Sequence, residues 1–568
     1  MPAGLFLPWG RRCRSQRRGF WQARLVGWGP VQMNHTTDGR DLFLSAGSAL
    51  PDHLLIGFAW VGADLVRGQA GYAAYRAHRK AIIPPGEDGA YVTVNRIGDK
   101  TVIGTDFCGY GKVFLYQQGD FWALSNSFER LVAELRGSGH PITPDQGVLR
   151  HFTGGTAAFQ QLPSHQTAVA EITLVPSSVS LVIDASRALS VTKIPEVLAF
   201  DQAATAASYS QAMARYIAIW IARFGTIFAS GLPVSIDVSG GRDSRAVLGL
   251  ALLAARQLGL GFDRFAIHSS TKHRAELAIA QTIAERFGLT FRPAGGGTRD
   301  TLDSYGLWRK HALGVYAPFY IFRSGMTRLH LTGGGGESHR PYYTGSKPQG
   351  TWGRWLAALA DLARGRPAQG AEPAAAVPRH DFEAGLEAGV ISYRYFRDRF
   401  HFGLGAVERD IIAPLASKYL RAASSRCAPE RFARAEVMAD LIAFCDRDLA
   451  AIPFDEPHKR IDLSAPRPEI PLDPARIPPA GRVHGAEASE AEPEAKVLPL
   501  LAFLDDFDAA LPICQQTGLL PRRYLAAAAR TAAQMRRTGK RPAKGDNHCT
   551  RLSTVILAAF LAQARQAG

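Results

Sequence analysis

The stretch VSIDVSGGRDSR, residues 234–245, runs a short apolar strand into a turn made of Ser239, Gly240, Gly241, Arg242, Asp243 and Ser244. Glycines in such a turn permit backbone angles that a Cβ would forbid, and an acid and a hydroxyl then fall in the first turn of a helix. Backbone N–H groups converge there with the positive end of the helix dipole, which makes a site for an anion the size of phosphate. Two familiar phosphate loops are excluded, because there is neither the Lys-Ser/Thr pair of a Walker A loop nor the GxGxxG of a dinucleotide fingerprint. By residue type alone, a structural turn with an Asp cap remains equally open.

The elements around this turn are of two kinds. Over 54–183 the chain has short β-branched and aromatic runs broken by Gly, Asp and Asn, and IGDK and QQGD predict hairpin turns between alternating strands. A helical spacing over 201–225 follows, and the pattern then changes to strand 234–238, helix 245–258, strand 264–268 and helix 276–288. Strands alternating with helices predict a parallel sheet with crossover helices. Segments rich in Ala, Pro and Gly near 364–380 and 474–495 read as loops or linkers, and no internal repeat is visible.

The chain has 568 residues, which at roughly 100–200 residues per domain implies two or three domains. Its 46% hydrophobic and 20% charged residues are ordinary for a globular protein and exclude disordered and fibrous classes. No apolar run in the sequence reaches the roughly 18 residues of a membrane span, so a soluble protein is expected. The six cysteines form no CxxC pair, which argues against a zinc ribbon or a disulfide framework and for a reducing, cytoplasmic setting. Net charge is +16, concentrated in 1–37, with six arginines and no acid, and in 521–568, with ten Lys or Arg against Asp546. Neither end interleaves aromatics with its cations, so no nucleic-acid partner is expected. The start does not read as an export signal, and Met33 is an alternative first residue.

The motif Ser-Gly-Gly-x-Asp-Ser at 239–244 resembles the pyrophosphate-binding loop of ATP pyrophosphatases, which adenylate a substrate and release pyrophosphate. LHLTGGGGESHRPYY, another apolar run ending in glycines and an acid, resembles the second glycine-and-acid segment of asparagine synthetases, and HSSTKHRAELAIAQTIAERFGL, with Glu276, looks like the second strand and helix of that family. GTDFCGYGKVFLY and FWALSNSFERLVAEL are similar to its N-terminal glutaminase domain, and the segment from RDIIAPLASKYL onward to its helix-rich continuation. The resemblance to asparagine synthetase-like proteins covers about residues 50–460.

That resemblance implies a mixed α/β and α+β chain: an N-terminal four-layer αββα sandwich of the N-terminal-nucleophile (Ntn) type, then a doubly wound parallel-sheet adenylating synthetase domain. The implied division is a basic extension at 1–49, the glutaminase-like domain at 50–195, the ATP-binding domain at 200–470, and a linker with a basic helical region at 471–568. The cofactors would be ATP and Mg²⁺, with Ser239, Gly240, Gly241, Arg242, Asp243, Ser244 and Gly335 at the nucleotide's phosphates. Asp243 and Glu337 would share the metal, a chance pair of carboxylates at a sheet rim being the alternative. The partners would be a small-molecule or peptide carboxylate and an amine or ammonia donor; a homodimer is left open.

Two departures from the family bear on activity. Its glutaminase half uses a cysteine exposed after removal of Met, but residue 2 here is Pro, a start at Met33 would expose Asn34, and Cys13 would need a cut after Arg12. Glutamine hydrolysis is therefore expected to be absent, as in the β-lactam synthetases and lasso-peptide cyclases of the same superfamily. The family's lysine near the departing pyrophosphate is also missing from RAEVMADLIA; Lys459 and Lys544, both in polar loops, are the substitutes on offer, each reading more simply as a solvated surface lysine. Arg242 and Arg245 are open to two readings, as ligands for phosphate or an acidic substrate and as caps on solvent-facing turns. A specialised amide or isopeptide ligase and a nucleotide-binding homologue without turnover stand as the other function classes.

Overall fold

The computed structural model describes residues 41–153, 161–162, 164–193, 195–271, 273–294, 309–310, 328–342, 378–403, 406–407, 410–485, 499–539 and 548–563. The molecule is mixed α/β with three sheets among these residues, two of them built largely from antiparallel strands. Seven strands lie in the order Leu189–Thr192, Ser180–Ile183, Lys100–Thr105, Asp88–Ile97, His53–Val61, Asp64–Arg67 and Val483–His484. Four more lie in the order Phe43–Ser45, Phe121–Ser125, Phe114–Gln118 and Ile172–Leu174. Alternation along the strands gives the two sheets a shared core, with Ile56, Val92, Val94 and Ile103 against Leu44, Leu115, Trp122 and Leu124. Tyr72 and Tyr75 of helix Gly68–Arg79 cover the other face of the larger sheet over Leu55 and Ala59. Both expected hairpins form: their ladders close at Ile97 with Lys100 and at Gln118 with Phe121. Gly98 (φ 62°) and Gly119 (φ 58°) supply the left-handed backbone that a two-residue turn needs.

The third sheet is parallel throughout, in the order Thr290–Ala294, Ala266–Ser270, Val234–Asp237, Leu329–Leu331 and Ile411–Ile412. Counted along the chain this is 3-2-1-4-5, so the order reverses between Val234–Asp237 and Leu329–Leu331. Loops leaving two strands on either side of such a reversal diverge and open a crevice at the strands' carboxyl ends. One face is apolar, with Val234, Ile236, Ile267, Leu329 and Leu331 in the main core. The other is polar: Ser235 Oγ lies 2.9 Å from His330 Nδ1, and His330 Nε2 lies 3.1 Å from Asp237 Oδ2. Parallel sheets are usually apolar on both faces, so this one departs from the pattern its topology predicts.

Helix Tyr209–Ala229 starts from a capping box of Ser208 and Gln211 and packs on the apolar face. By length and composition alone it could cross a membrane, with a mean hydropathy of 1.2, but 78% of that stretch is buried within the protein. It also joins the two kinds of sheet. Trp220 meets Trp60 edge-on at 5.8 Å, and Arg223 reaches Asp88 on the seven-stranded sheet at 2.6 Å.

Two expectations from the sequence are corrected. The antiparallel part begins before residue 50, since Phe43–Ser45 pairs with Phe121–Ser125. Within the expected linker at 474–495, Val483–His484 is a strand that pairs in parallel with Asp64–Arg67. Of the other expected linker, residues 364–377 lie outside the described residues. After residue 498, helices Pro499–Thr517, Arg522–Thr538 and His548–Ala562 pack on one another, and Arg136 donates 2.7 Å to the Phe560 carbonyl. Cys108, Cys427, Cys445 and Cys514 are free and buried.

Candidate functional site

Loops that follow Val234–Asp237 and Leu329–Leu331 meet at the reversal of strand order. In the first, the Ser239 N–H donates 2.9 Å to Ser244 Oγ, the two hydroxyls are 3.0 Å apart, and the Gly241 N–H donates 3.3 Å to Ser239 Oγ. These serines curl the loop on itself, and helix Arg242–Gln257 starts at once. Neither Gly240 nor Gly241 has a left-handed backbone, and Gly241 sits at φ −87°. Close approach explains Gly240 instead, since a Cβ there would stand 2.4 Å from Asp455 Cβ. The Asp cap of the purely structural alternative is not formed, as the N-cap is Gly241 with no side-chain cap bond.

The second loop lies directly on the first. A Cβ at Gly333 would come within 2.6 Å of the Ser244 nitrogen, and one at Gly336 within 2.4 Å of Asp243 Cγ. Gly335 needs its glycine twice over: φ is 81°, and a Cβ would meet Ala416 at 2.9 Å. Its role is thus in the backbone, a left-handed turn packed against Ala416, while Gly333 and Gly336 let the two loops close on each other. Gly336→Ala is expected to push Asp243 aside with the circular dichroism spectrum unchanged, and, on the expectation that the loop binds ATP, to weaken that binding at least tenfold, about 1.4 kcal/mol. Calorimetry with ATP checks this, and unchanged affinity would show that the loop contact does not set the site.

Asp243 and Glu337 do come together, but on an arginine. Arg340 donates through Nη1 and Nη2 to the two oxygens of Asp243 at 2.7 and 2.8 Å, and through Nη1 to the Gly336 carbonyl at 3.2 Å. Its Nη2 stands 4.0 Å from Glu337 Oε1. Burial pushes the Glu337 carboxyl up to about 7, the charge on Asp243 adding to the rise and Arg340 opposing it. Burial also works against the charge on Arg340, but Asp243 and Glu337 outweigh it and hold the guanidinium protonated. An ion bridging the two carboxylates at about 2.0–2.1 Å would need the space this guanidinium fills. The arrangement therefore does not fit a resident magnesium ion on Asp243 and Glu337.

Both arginines beside the first loop bond to backbone carbonyls, and Arg242 also lines a cavity next to it. Arg242 donates to four backbone carbonyls, those of Lys459, Arg460, Arg434 and Ala435, at 2.8 to 3.4 Å. Arg245 is fully buried, donates to the carbonyls of Ile452 and Pro453, and lies 3.7 Å over the Phe454 ring. Burial pushes Arg245 down to about 10, with Asp455 opposing. Both act as struts that fix segment 434–460 beside the loop.

That segment carries the residue the sequence left undecided. Lys459 Nζ binds Asp455 at 2.9 and 3.0 Å and Glu456 at 3.1 Å, and Asp455 is the residue pressed against Gly240. Lys459 lines a cavity of about 930 Å³ together with Gly241, Asp243 and six arginines, among them Arg340, Arg431, Arg460 and Arg467. Most of those seven cations are already paired with acids, Lys459 with Asp455 and Glu456, Arg340 with Asp243, Arg431 and Arg434 with Glu436, and Arg467 with Asp440, so the cavity is rich in cations but only slightly positive in balance. Lys544 lies outside the described residues, and Glu276 stands in the first turn of helix Arg274–Phe287 without lining the cavity. A lysine in a polar loop gives no sequence signal by itself; the one available was its distance of four residues from an acid, the spacing of a paired side chain.

No protein-family model matches the chain, and no curated protein matches it.

Proposed function

We propose that this chain is an ATP-dependent, AMP-forming amide ligase of the asparagine synthetase-like kind, without glutaminase activity. The observation that carries the proposal is the meeting of the Ser239–Ser244 and Gly333–Gly336 loops at a reversal of strand order, beside a cation-rich cavity lined by Gly241, Arg242, Asp243, Arg340 and Lys459. On this reading the antiparallel sheets are an Ntn-type sandwich kept as a scaffold, and the parallel sheet belongs to a doubly wound synthetase domain. A substrate carboxylate oxygen attacks the α-phosphorus of ATP, the α–β bridging bond breaks, and pyrophosphate leaves toward the loop. An amine or ammonia then attacks the acyl carbon, loses a proton and expels AMP. The chain's part is to hold the carboxylate in line with the phosphorus and to place Lys459 and the loop N–H groups where negative charge grows on the leaving group. Magnesium would enter only as the counter-ion of the nucleotide. The substrate would be a small molecule or peptide bearing a carboxylate, in the cytoplasm.

A second reading, a nucleotide-binding homologue without turnover, is favoured by the engagement of Asp243 with Arg340. Exchange of labelled pyrophosphate into ATP, with a panel of candidate acids, separates the two. Acid-dependent exchange is expected; ATP binding without exchange for any acid would favour the second reading. Glutamine is not expected to serve as nitrogen donor. The purified chain should release no glutamate from glutamine, and a release that disappears in Cys13→Ala would overturn that expectation.

A further inference from the structure

We infer that Arg340 is the resident cation of this site, standing where a protein-bound divalent ion would otherwise bridge Asp243 and Glu337. Three independent contacts fix it there. Its planar fork matches the Asp243 carboxylate bidentately, with bonds of 2.7 and 2.8 Å. Nη1 is further held by the Gly336 carbonyl at 3.2 Å, while Nη2 faces Glu337 at 4.0 Å. The backbone of Gly336 lies so close to Asp243 that a methyl group there would stand 2.4 Å from Cγ, so the carboxylate has little room to move toward the second loop. Arg340 is also three residues beyond Glu337, in the extended residue that ends the short turn Gly336–His339, which turns its side chain back over both acids.

The charge arithmetic agrees with the geometry. Arg340 offsets the charge of Asp243 and faces Glu337, while the neighbouring cations Arg242 and Lys459 are engaged elsewhere, one by carbonyls and the other by Asp455 and Glu456. A magnesium ion also demands near-octahedral oxygens and gives up water reluctantly, so it competes poorly with a guanidinium already paired by two short bonds. A polyphosphate reaching the loop thus meets an arginine rather than a protein-held metal. This deepens the ligase reading by saying what cation its nucleotide would face, and it is testable with no nucleotide present.

The test is a titration of the full chain with Mn²⁺, followed by the loss of the free-ion electron paramagnetic resonance signal. The wild-type chain and Asp243→Asn should bind Mn²⁺ equally. Arg340→Met, which keeps much of the side-chain volume but removes the charge, should bind one Mn²⁺ per chain at least about tenfold more tightly than wild type. Adding Asp243→Asn to Arg340→Met should abolish that gain. A wild-type ion that Asp243→Asn removes, or an Arg340→Met chain that binds no more tightly than wild type, would overturn the assignment. If Arg340→Met does not fold, the wild-type and Asp243→Asn titrations decide alone, equality supporting the assignment and a difference overturning it. Failure of ATP to bind any of these proteins would count against the ligase reading and leave the Mn²⁺ result standing.

Discussion

Replacing Lys459 by alanine is expected to slow pyrophosphate exchange by about 10²–10³, with a much smaller change in the affinity for ATP. The ammonium is held at the cavity wall by Asp455 and Glu456, and Asp455 packs on Gly240 of the loop, so its position beside the loop is fixed. On the proposed ligase reading, charge on the bridging oxygen would grow as the bond to pyrophosphate breaks, so the lysine would act more on the transition state than on bound ATP. Lys459→Arg keeps the charge but spreads it over a plane, and should recover only part of the rate. An equal loss in affinity and rate would assign Lys459 to ground-state binding, and no loss would remove it from the site.

The second large effect is on stability, at the junction between the antiparallel and parallel parts. Asp88 and Arg223 are paired at 2.6 Å with side chains 2% and 0% exposed. Asp88 also accepts from the Ser417 hydroxyl at 2.8 Å and the Lys418 N–H at 2.6 Å, and Arg223 lies over the rings of Trp60 and Trp220 at 5.2 and 5.1 Å. Asp88→Ala would leave the guanidinium buried without its counter-charge and two donors without their acceptor. Breaking one partner from such a pair costs about 3–5 kcal/mol. The midpoint of urea unfolding should fall accordingly, while the double variant Asp88→Leu with Arg223→Met should recover part of the loss because no charge is then stranded. If Asp88→Ala unfolds at the wild-type midpoint, this pair does not hold the two parts together.

Much of the frame was legible in the residues, for physical reasons that can be named. The parallel strands are short apolar runs that end at Gly or Ser, and the helices between them carry an apolar stripe, so 234–238 and 276–288 were expected within a few residues of Val234–Asp237 and Arg274–Phe287. The hairpins were visible because Gly98 and Gly119 are the residues that a positive φ selects. Pairing order was not legible, since local pattern does not say which strand lies beside which; 3-2-1-4-5 emerges only from the ladders. Val483–His484 escaped because a strand of two residues inside a Pro- and Gly-rich segment has no period to detect. The site was legible as two acids and two glycine turns, but not in its wiring. Arg340 reads as one more arginine in an arginine-rich chain, and Arg242 and Arg245 bond to carbonyls, partners that carry no signature in the sequence.

The late strand Val483–His484 has a consequence for how this chain is made. It closes one edge of a sheet whose other members all lie before residue 193, with the Arg482 N–H bonded to the Asp64 carboxylate across 418 positions. Until the ribosome has delivered that segment, strand Asp64–Arg67 presents an open row of backbone donors and acceptors, a template for another nascent chain. Contacts so distant along the chain form slowly, because the intervening polymer must be ordered before they are gained. A sheet with six of its seven strands made before residue 193 is therefore among the last to be sealed, and chaperone protection of that one edge during translation would do more for the yield of folded protein than stabilising any element already complete.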